Sequence, residues 1–283
     1  MRVFRHLEAC NRFDPGRFLP LVLDGSRVGF VQADKASALA RHGELFEVTD
    51  RAVEFTASGP RGQALTEALD EVSASLARRG LTPGQRRERF AITRHWGGEV
   101  LFELDRGAIP FFGTRSYGVH LNGLTEAGVW VGKRAAGKKV APGKLDNLVA
   151  GGIPAGYDAF ATVIKEAAEE ASIPAELARQ ARPVGAIFYR MAVAEGARDD
   201  VLFVYDLDVP ADFVPTPGDD ECESFQVMTL DAVLARVAET DDFKFNVNLV
   251  LIDLAIRQGA IGPEHPDYLA LAAALRGSLM RGP

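Results

Sequence analysis

Apolar and polar positions alternate with a helical beat in the middle of the chain. Phe160, Val163, Ile164, Ala167 and Ala171 recur at spacings of three and four, which places them on one stripe of a helix. Asp158 supplies an N-cap side chain that can accept from the unpaired amides of the first turn. Pro174 has no amide and excludes helical geometry at the residue before it, so the helix is predicted to close at residues 172–174. Further on, residues 184–191, 201–207 and 225–228 are apolar runs of strand length, and residues 247–258 and 268–279 read as closing helices. Residues 119–124 and 129–132 pair plausibly as strands across a turn at 125–128. Strands with helices on both sides predict an α/β sandwich with a sheet in the middle.

The first third reads as a smaller α/β unit. After an opening helix, two apolar runs flank Asp24-Gly25 and predict a hairpin over residues 21–31. Residues 33–41 suggest a short helix, 46–48 and 53–55 edge-type strands, 62–79 an amphipathic helix and 101–104 a closing strand. Residues 80–89, rich in Gly, Pro and Arg, have the composition of a linker. The domain boundary is expected near residues 112–114, giving an N-terminal unit over 1–113 and a second domain over 114–283.

Composition narrows the class. The chain has 283 residues, 47% hydrophobic and 25% charged, enough for a sizeable core. A net charge of −7 offers no overall attraction to nucleic acid or an anionic membrane. The two cysteines, Cys10 and Cys222, follow no metal or disulfide spacing and are expected to be reduced thiols of a cytoplasmic protein. No apolar run reaches the ~18 residues of a membrane span. The opening residues lack a hydrophobic signal core, so no targeting segment is expected.

The helix carries the chemistry. Glu166, Glu169 and Glu170 fall within an arc of roughly 100° that flanks the apolar stripe. Like charges at these spacings repel by about 0.2–0.5 kcal/mol per pair. Carboxylates in a last turn also oppose the helix dipole, by about 0.3–1 kcal/mol each. A bound cation reverses both penalties, and oxygen-only ligands suit Mg²⁺ or Mn²⁺. A solvated acidic helix end is the plain alternative. Gly151-Gly152-Ile153-Pro154-Ala155-Gly156 upstream, a loop that lets backbone approach a phosphate, argues for the cation.

These residues carry a resemblance. Gly151 followed by Lys165-Glu166-Ala167-Ala168-Glu169-Glu170-Ala171-Ser172-Ile173 resembles the Nudix box, a glycine followed at set spacing by Arg-Glu-aliphatic-x-Glu-Glu-x-Gly-aliphatic. The resemblance implies an α/β/α sandwich around a mixed sheet. It makes Glu166, Glu169 and Glu170 metal ligands and turns Gly151 and Gly152 toward a diphosphate. Three positions depart from the pattern: Lys165 stands for the arginine, Tyr157 for an earlier glutamate and Ser172 for the closing glycine. Segments 109–113, 117–123, 143–150 and 243–248 resemble one branch of that superfamily, in which a family-specific N-terminal domain precedes the Nudix domain. The branch is similar to the Nudix portion fused to thiamine pyrophosphokinase in some fungi. It implies hydrolysis of thiamine diphosphate, or of its oxidised analogues, to the monophosphate.

Other candidates surround the box. Lys133, Arg134, Lys138, Lys139 and Lys144 precede it; Lys138 and Lys139 suit a solvated hairpin tip, whereas Lys144 is expected to meet substrate phosphates. Glu221 or Glu223, in a second acidic run, is expected to complete the metal site or orient water, with a surface acidic turn as the simpler alternative. His120, Trp130, Phe111 and Phe112 suit the core better than the site. The expected activity is metal-dependent cleavage of a small diphosphate, with a homodimer left open. A non-catalytic binding module and a broad nucleoside-diphosphate pyrophosphohydrolase are the alternatives.

Overall fold

A computed structural model describes residues 2–277. Its first elements are α1 (Phe4–Cys10), β1 (Phe18–Leu23), β2 (Ser26–Gln32), β3 (Phe46–Val48), β4 (Val53–Phe55), α2 (Gly62–Arg78), β5 (Arg89–Thr93), β6 (Val100–Asp105) and α3 (Ile109–Phe112). One sheet runs β2-β1-β4-β3, with β1 and β4 parallel, and β5 and β6 form a separate antiparallel hairpin. Asp24 (φ 51°) and Gly25 (φ 72°) make the left-handed pair that a two-residue hairpin turn requires. From α2, Leu65, Leu69, Val72 and Leu76 enter one core with Leu21, Val31, Phe55 and Phe102.

The second unit comprises β7 (Arg115–Thr125), β8 (Gly128–Arg134), β9 (Leu145–Asp146), β10 (Val149–Gly152), α4 (Ala159–Ala171), α5 (Ala175–Ala178), β11 (Arg182–Ala192), β12 (Ala197–Asp208), β13 (Cys222–Met228), α6 (Leu230–Glu239), α7 (Val247–Arg257) and α8 (Tyr268–Ala274). The sheet runs β11-β12-β7-β8-β13, with β10 added on β7 and β9 on β8. Only the β12–β7 pairing is parallel, so the sheet is mixed. The tip of β7 pairs with β8 from Gly123 to Thr125, while its earlier part takes β10, which sets Gly151 opposite Val119. On one face α4 packs Val163, Ala167 and Ala171 against Val119, Leu121, Val149 and Leu207. On the other, α6, α7 and α8 cover Val131, Ile187, Leu202 and Val204. This is the expected α/β/α sandwich around a mixed sheet, preceded by a unit with its own sheet.

Several expectations are corrected. The opening helix α1 belongs spatially to the second unit: Val3, Leu7 and Cys10 join its core, and the His6 ring lies 2.7 Å from the Val237 carbonyl. Residues 33–41 form two 3₁₀ turns, Ala36–Ala38 and Ala40–His42, rather than a helix. β4 lies inside its sheet, not at an edge. The last helix ends at Ala274, and residues 278–279 of the predicted span lie outside the described residues. The 80–89 segment is not a free linker. The buried carboxylate of Asp105 accepts from the amides of Arg86 (2.9 Å), Arg87 (3.0 Å) and Gly107 (2.8 Å). The Ala155 amide, in the second unit, donates to the Arg89 carbonyl at 2.8 Å.

Candidate active site

Helix α4 is set by local chemistry at both ends. The Asp158 carboxylate accepts from the Ala161 amide at 2.7 Å, as its position before the apolar stripe predicted. At the other end Ser172 takes the left-handed conformation (φ 53°, ψ 31°), and the Ile173 amide returns to the Ala167 carbonyl at 3.0 Å. The helix thus stops at Ser172, before Pro174 acts. Its apolar stripe is Ala159, Val163, Ala167 and Ala171; Phe160, expected in it, is 37% exposed. The loop before β13 crosses this helix end, where the amides of Thr216 and Gly218 donate to the carbonyls of Ala171 and Glu170, both at 3.2 Å. Those bonds satisfy carbonyls that a helix end leaves unpaired. They also bring Glu221 to the site.

The three glutamates differ in surroundings. Lys165 Nζ donates to Glu166 Oε1 at 3.1 Å and to Glu169 Oε2 at 2.5 Å, bracing two of them with one point charge. Glu170 Oε2 accepts from the Ala150 amide at 2.9 Å. Burial pushes Glu170 up to about 8 against that bond, and the charges of Asp146, Glu166 and Glu221 push the same way. Burial also raises Glu166, opposed by Lys165 and helped by Glu169 and Glu88. Carboxylates held together in a dry place, at the cost of their own ionisation, are the donor set a hard divalent cation relieves. Lys165, lying between Glu166 and Glu169, already shows a cation accepted there. Among the described residues no three His, Cys, Asp or Glu side chains converge on one point, because Glu166 and Glu169 turn to Lys165 and Glu170 to Ala150. In chemistry, though not in their present orientation, these oxygen-only carboxylates fit a hard divalent ion.

Gly151 and Gly152, expected in a loop, are the last residues of strand β10. A Cβ on Gly151 would lie 2.5 Å from both Cγ and Cδ of Glu166, so the glycine exists to let that glutamate cross the strand. A Cβ on Gly152 would lie 2.3 Å from the Phe90 ring of the N-terminal unit. Both glycines border a cavity of about 490 Å³, the size of a small-molecule site. Glu170 lies instead on an adjoining recess of about 20 Å³ with Asp146, and Arg134 and Glu221 border both spaces.

The basic residues are redistributed relative to expectation. Lys138 and Lys139, read as a solvated tip, line the cavity, together with Arg134 and Lys244. Lys144, expected to meet substrate phosphates, does not line it; its ammonium donates to the Asp241 carbonyl at 2.5 Å. Buried Asp146 holds Arg134 (2.6 Å) and Lys244 (3.2 Å) together. Its burial opposes ionisation, but Lys244, His120 and Arg134 outweigh that and keep its pKa below the ordinary value. Of the two acidic candidates, Glu221 borders the cavity and Glu223 does not, pairing with Lys133 at 3.1 Å in an exposed ion pair. Burial of Glu221 is outweighed by its bond to Lys138, which keeps it ionised.

His120 is buried, with Nδ1 2.8 Å from Asn147 Oδ1; burial, then Lys244, lowers it to about 4, so it is neutral. Asn147 passes the chain of bonds to Asn122 (2.8 Å) and Asn122 to Asp206 (2.9 Å). Its place is structural, as expected, although one edge borders the cavity. Phe111 and Phe112 are core residues of the first unit, and Trp130 packs on the α4 side of the second. Sequence reasoning missed Arg86, Phe90 and Arg106, all on the cavity wall. The arginine run of residues 86–89 was a visible signal for Arg86 alone.

A glutamate-bearing helix behind a glycine strand, beside a basic cavity, defines a hydrolase of the Nudix type. The NUDIX domain model matches residues 115–248, and that of a domain of unknown function, DUF4743, matches residues 2–116. Nudix hydrolase 20, chloroplastic, of Arabidopsis thaliana is 35% identical over 288 residues, covering 96% of this chain and 77% of that protein. Nudix hydrolase 24, chloroplastic, of the same plant is 35% identical over 278 residues, covering 95% and 76%. Among solved structures, DR0079 from Deinococcus radiodurans matches with a TM-score of 0.47 and 19% identity, over 58% of this chain and 97% of that one. The chain belongs to the Nudix hydrolase family.

Proposed function

We propose that this chain is a divalent-metal-dependent hydrolase that cleaves thiamine diphosphate, or its oxidised analogues, to the monophosphate. The observation that carries the metal-dependent part is geometric: Glu166, Glu169 and Glu170 share the end of helix α4, and Glu170 lines a recess with Asp146 and Glu221. Glu166, Glu169 and Glu170 would hold the ion, Mg²⁺ or Mn²⁺ by their oxygen-only chemistry. Such an ion, when bound, neutralises phosphate oxygens and lowers the pKa of water. Arg134, Lys138, Lys139 and Lys244 draw the anionic substrate into the cavity. The backbone of Gly151 and Gly152 borders the cavity, where it would meet the diphosphate. Glu221, kept ionised by Lys138, orients the attacking water and takes its proton. The thiamine part rests on the resemblance to the branch fused to thiamine pyrophosphokinase. We further take the hydrolase domain to begin at residue 114 and the protein to act in the cytoplasm, where free Cys10 and Cys222 stay reduced. A homodimer is compatible with this reading.

The test is phosphate release from thiamine diphosphate and a panel of nucleoside diphosphates, with and without Mg²⁺. Thiamine-type substrates are expected to have the higher kcat/KM; preference for nucleotides would favour a broad pyrophosphohydrolase. Glu170→Gln keeps an amide oxygen for the Ala150 bond, so it is expected to fold yet lose most turnover. Unimpaired turnover at saturating Mg²⁺ removes Glu170 from the metal site.

A further inference from the structure

The large cavity is not made by the hydrolase domain alone. Pro83, Arg86, Phe90 and Arg106 come from the region matched by the DUF4743 model and line the space together with Lys138 and Lys139. The two arginines are built in. Asp105 receives the amides of Arg86, Arg87 and Gly107, so one buried carboxylate fixes the backbone on both sides of the pair. A Cβ on Gly107 would lie 2.2 Å from the Gly84 carbonyl, so the two loops are in direct contact. Arg106 lies over the Phe90 ring at 5.8 Å and gives one nitrogen to Glu88 at 2.7 Å. It is also close enough for its charge to favour ionised Glu221. Among the described residues the Arg86 guanidinium has no hydrogen bond or ion pair; only its backbone amide is engaged, by Asp105.

We propose that the N-terminal unit forms one wall of the substrate site, where Arg86 and Arg106 bind the phosphate end of the substrate in the cavity. The proposal rests on the diphosphate reading above. Within this space of ligand size Glu88 takes Arg106 and Glu221 takes Lys138, which leaves Arg86 and Lys139 as positive charge for an anion to meet. Guanidinium forks match phosphate oxygens in pairs, which a lysine cannot do. A loop already pinned by Asp105 loses little freedom when it binds. Arg86 and Arg106 are binding residues here, placed by Asp105, and the fold of the first unit exists in part to hold them.

Inorganic pyrophosphate is the probe, titrated calorimetrically into the full chain and into Arg86→Gln, Arg106→Gln and Arg41→Gln. Arg41, exposed and off the cavity wall, controls for loss of one positive charge. Either cavity variant is expected to weaken pyrophosphate binding roughly tenfold, equivalent to about 1.4 kcal/mol, with Arg41→Gln unchanged. With a hydrolysed substrate, KM is expected to rise while kcat holds. Arg106→Gln also loses the Glu88 pair, so Arg86→Gln, which breaks no bond, is the decisive variant if the other unfolds. Undiminished pyrophosphate binding in Arg86→Gln, equal loss in the Arg41 control, or no binding to the unaltered chain would overturn the proposal. Tight pyrophosphate binding that needs Arg86, without turnover of any diphosphate, would sink the hydrolase assignment and leave the composite site standing.

Discussion

Replacing Gly151 with alanine tests whether the glycine of the box serves the glutamate behind it. The added Cβ would meet Cγ and Cδ of Glu166 at 2.5 Å and Oε1 at 2.9 Å, where ordinary contact begins at 3.4 Å. Something must move by about 1 Å. Glu166 is a poor candidate to yield freely, because its side chain is 12% exposed and held by Lys165. Moving β10 instead strains the pairing of Gly151 with Val119. Overpacking of this kind costs about 1–3 kcal/mol. A 1 Å displacement of a group that positions the chemistry costs about 100-fold in rate. Gly151 does not have a positive φ, so alanine adds no backbone strain and the whole effect must come from contact. Denaturant unfolding of Gly151→Ala, Glu166→Ala and the double variant isolates it, alongside turnover at saturating Mg²⁺. The cost of Gly151→Ala is expected to vanish in the Glu166→Ala background, a coupling of at least about 1 kcal/mol. Equal cost in both backgrounds, or full turnover in Gly151→Ala, would refute the reasoning.

Other outcomes follow from the same geometry. Ser172→Gly relieves a side chain in the left-handed region and is expected to raise stability by about 1 kcal/mol, read from the denaturation midpoint; a loss would contradict it. His120, lowered to about 4 by burial, stays neutral in the fold while the unfolded chain takes a proton near 6.5. The His120 contribution is therefore fully present above pH 6.5 and is lost as pH drops toward 4, by about 2 kcal/mol at pH 5. Glu170, raised to about 8, acts in the opposite sense over this range, so the test is a difference: between pH 7.5 and pH 5 the urea-unfolding free energy of the natural chain is expected to change about 2 kcal/mol less favourably than that of His120→Gln, and an equal change in both would place the effect elsewhere.

Much of the box helix was legible because its signals are local. The spacing of Val163, Ala167 and Ala171, and the cap at Asp158, act within a few residues of one another. The Asp24-Gly25 hairpin was legible for the same reason. The arginine loop was not. Its composition resembles that of a linker, and what holds it are long-range partners, the Asp105 carboxylate and the Ala155 amide among them. Nor could the basic run say which lysine faces the cavity. Lys144 is drawn away by the Asp241 carbonyl and Lys244 drawn in by Asp146, both long-range partners.

Sequence alone determined the three-layer class, the glutamate-bearing helix and its limits, since turn chemistry and periodicity are properties of neighbouring residues. Tertiary structure alone decided that Gly151 makes room for Glu166, that Glu221 rather than Glu223 borders the cavity, and that the first unit supplies part of its wall. Burial and electrostatic pairing depend on what lies opposite in space, and strand register and loop crossing, not chain order, set that opposition.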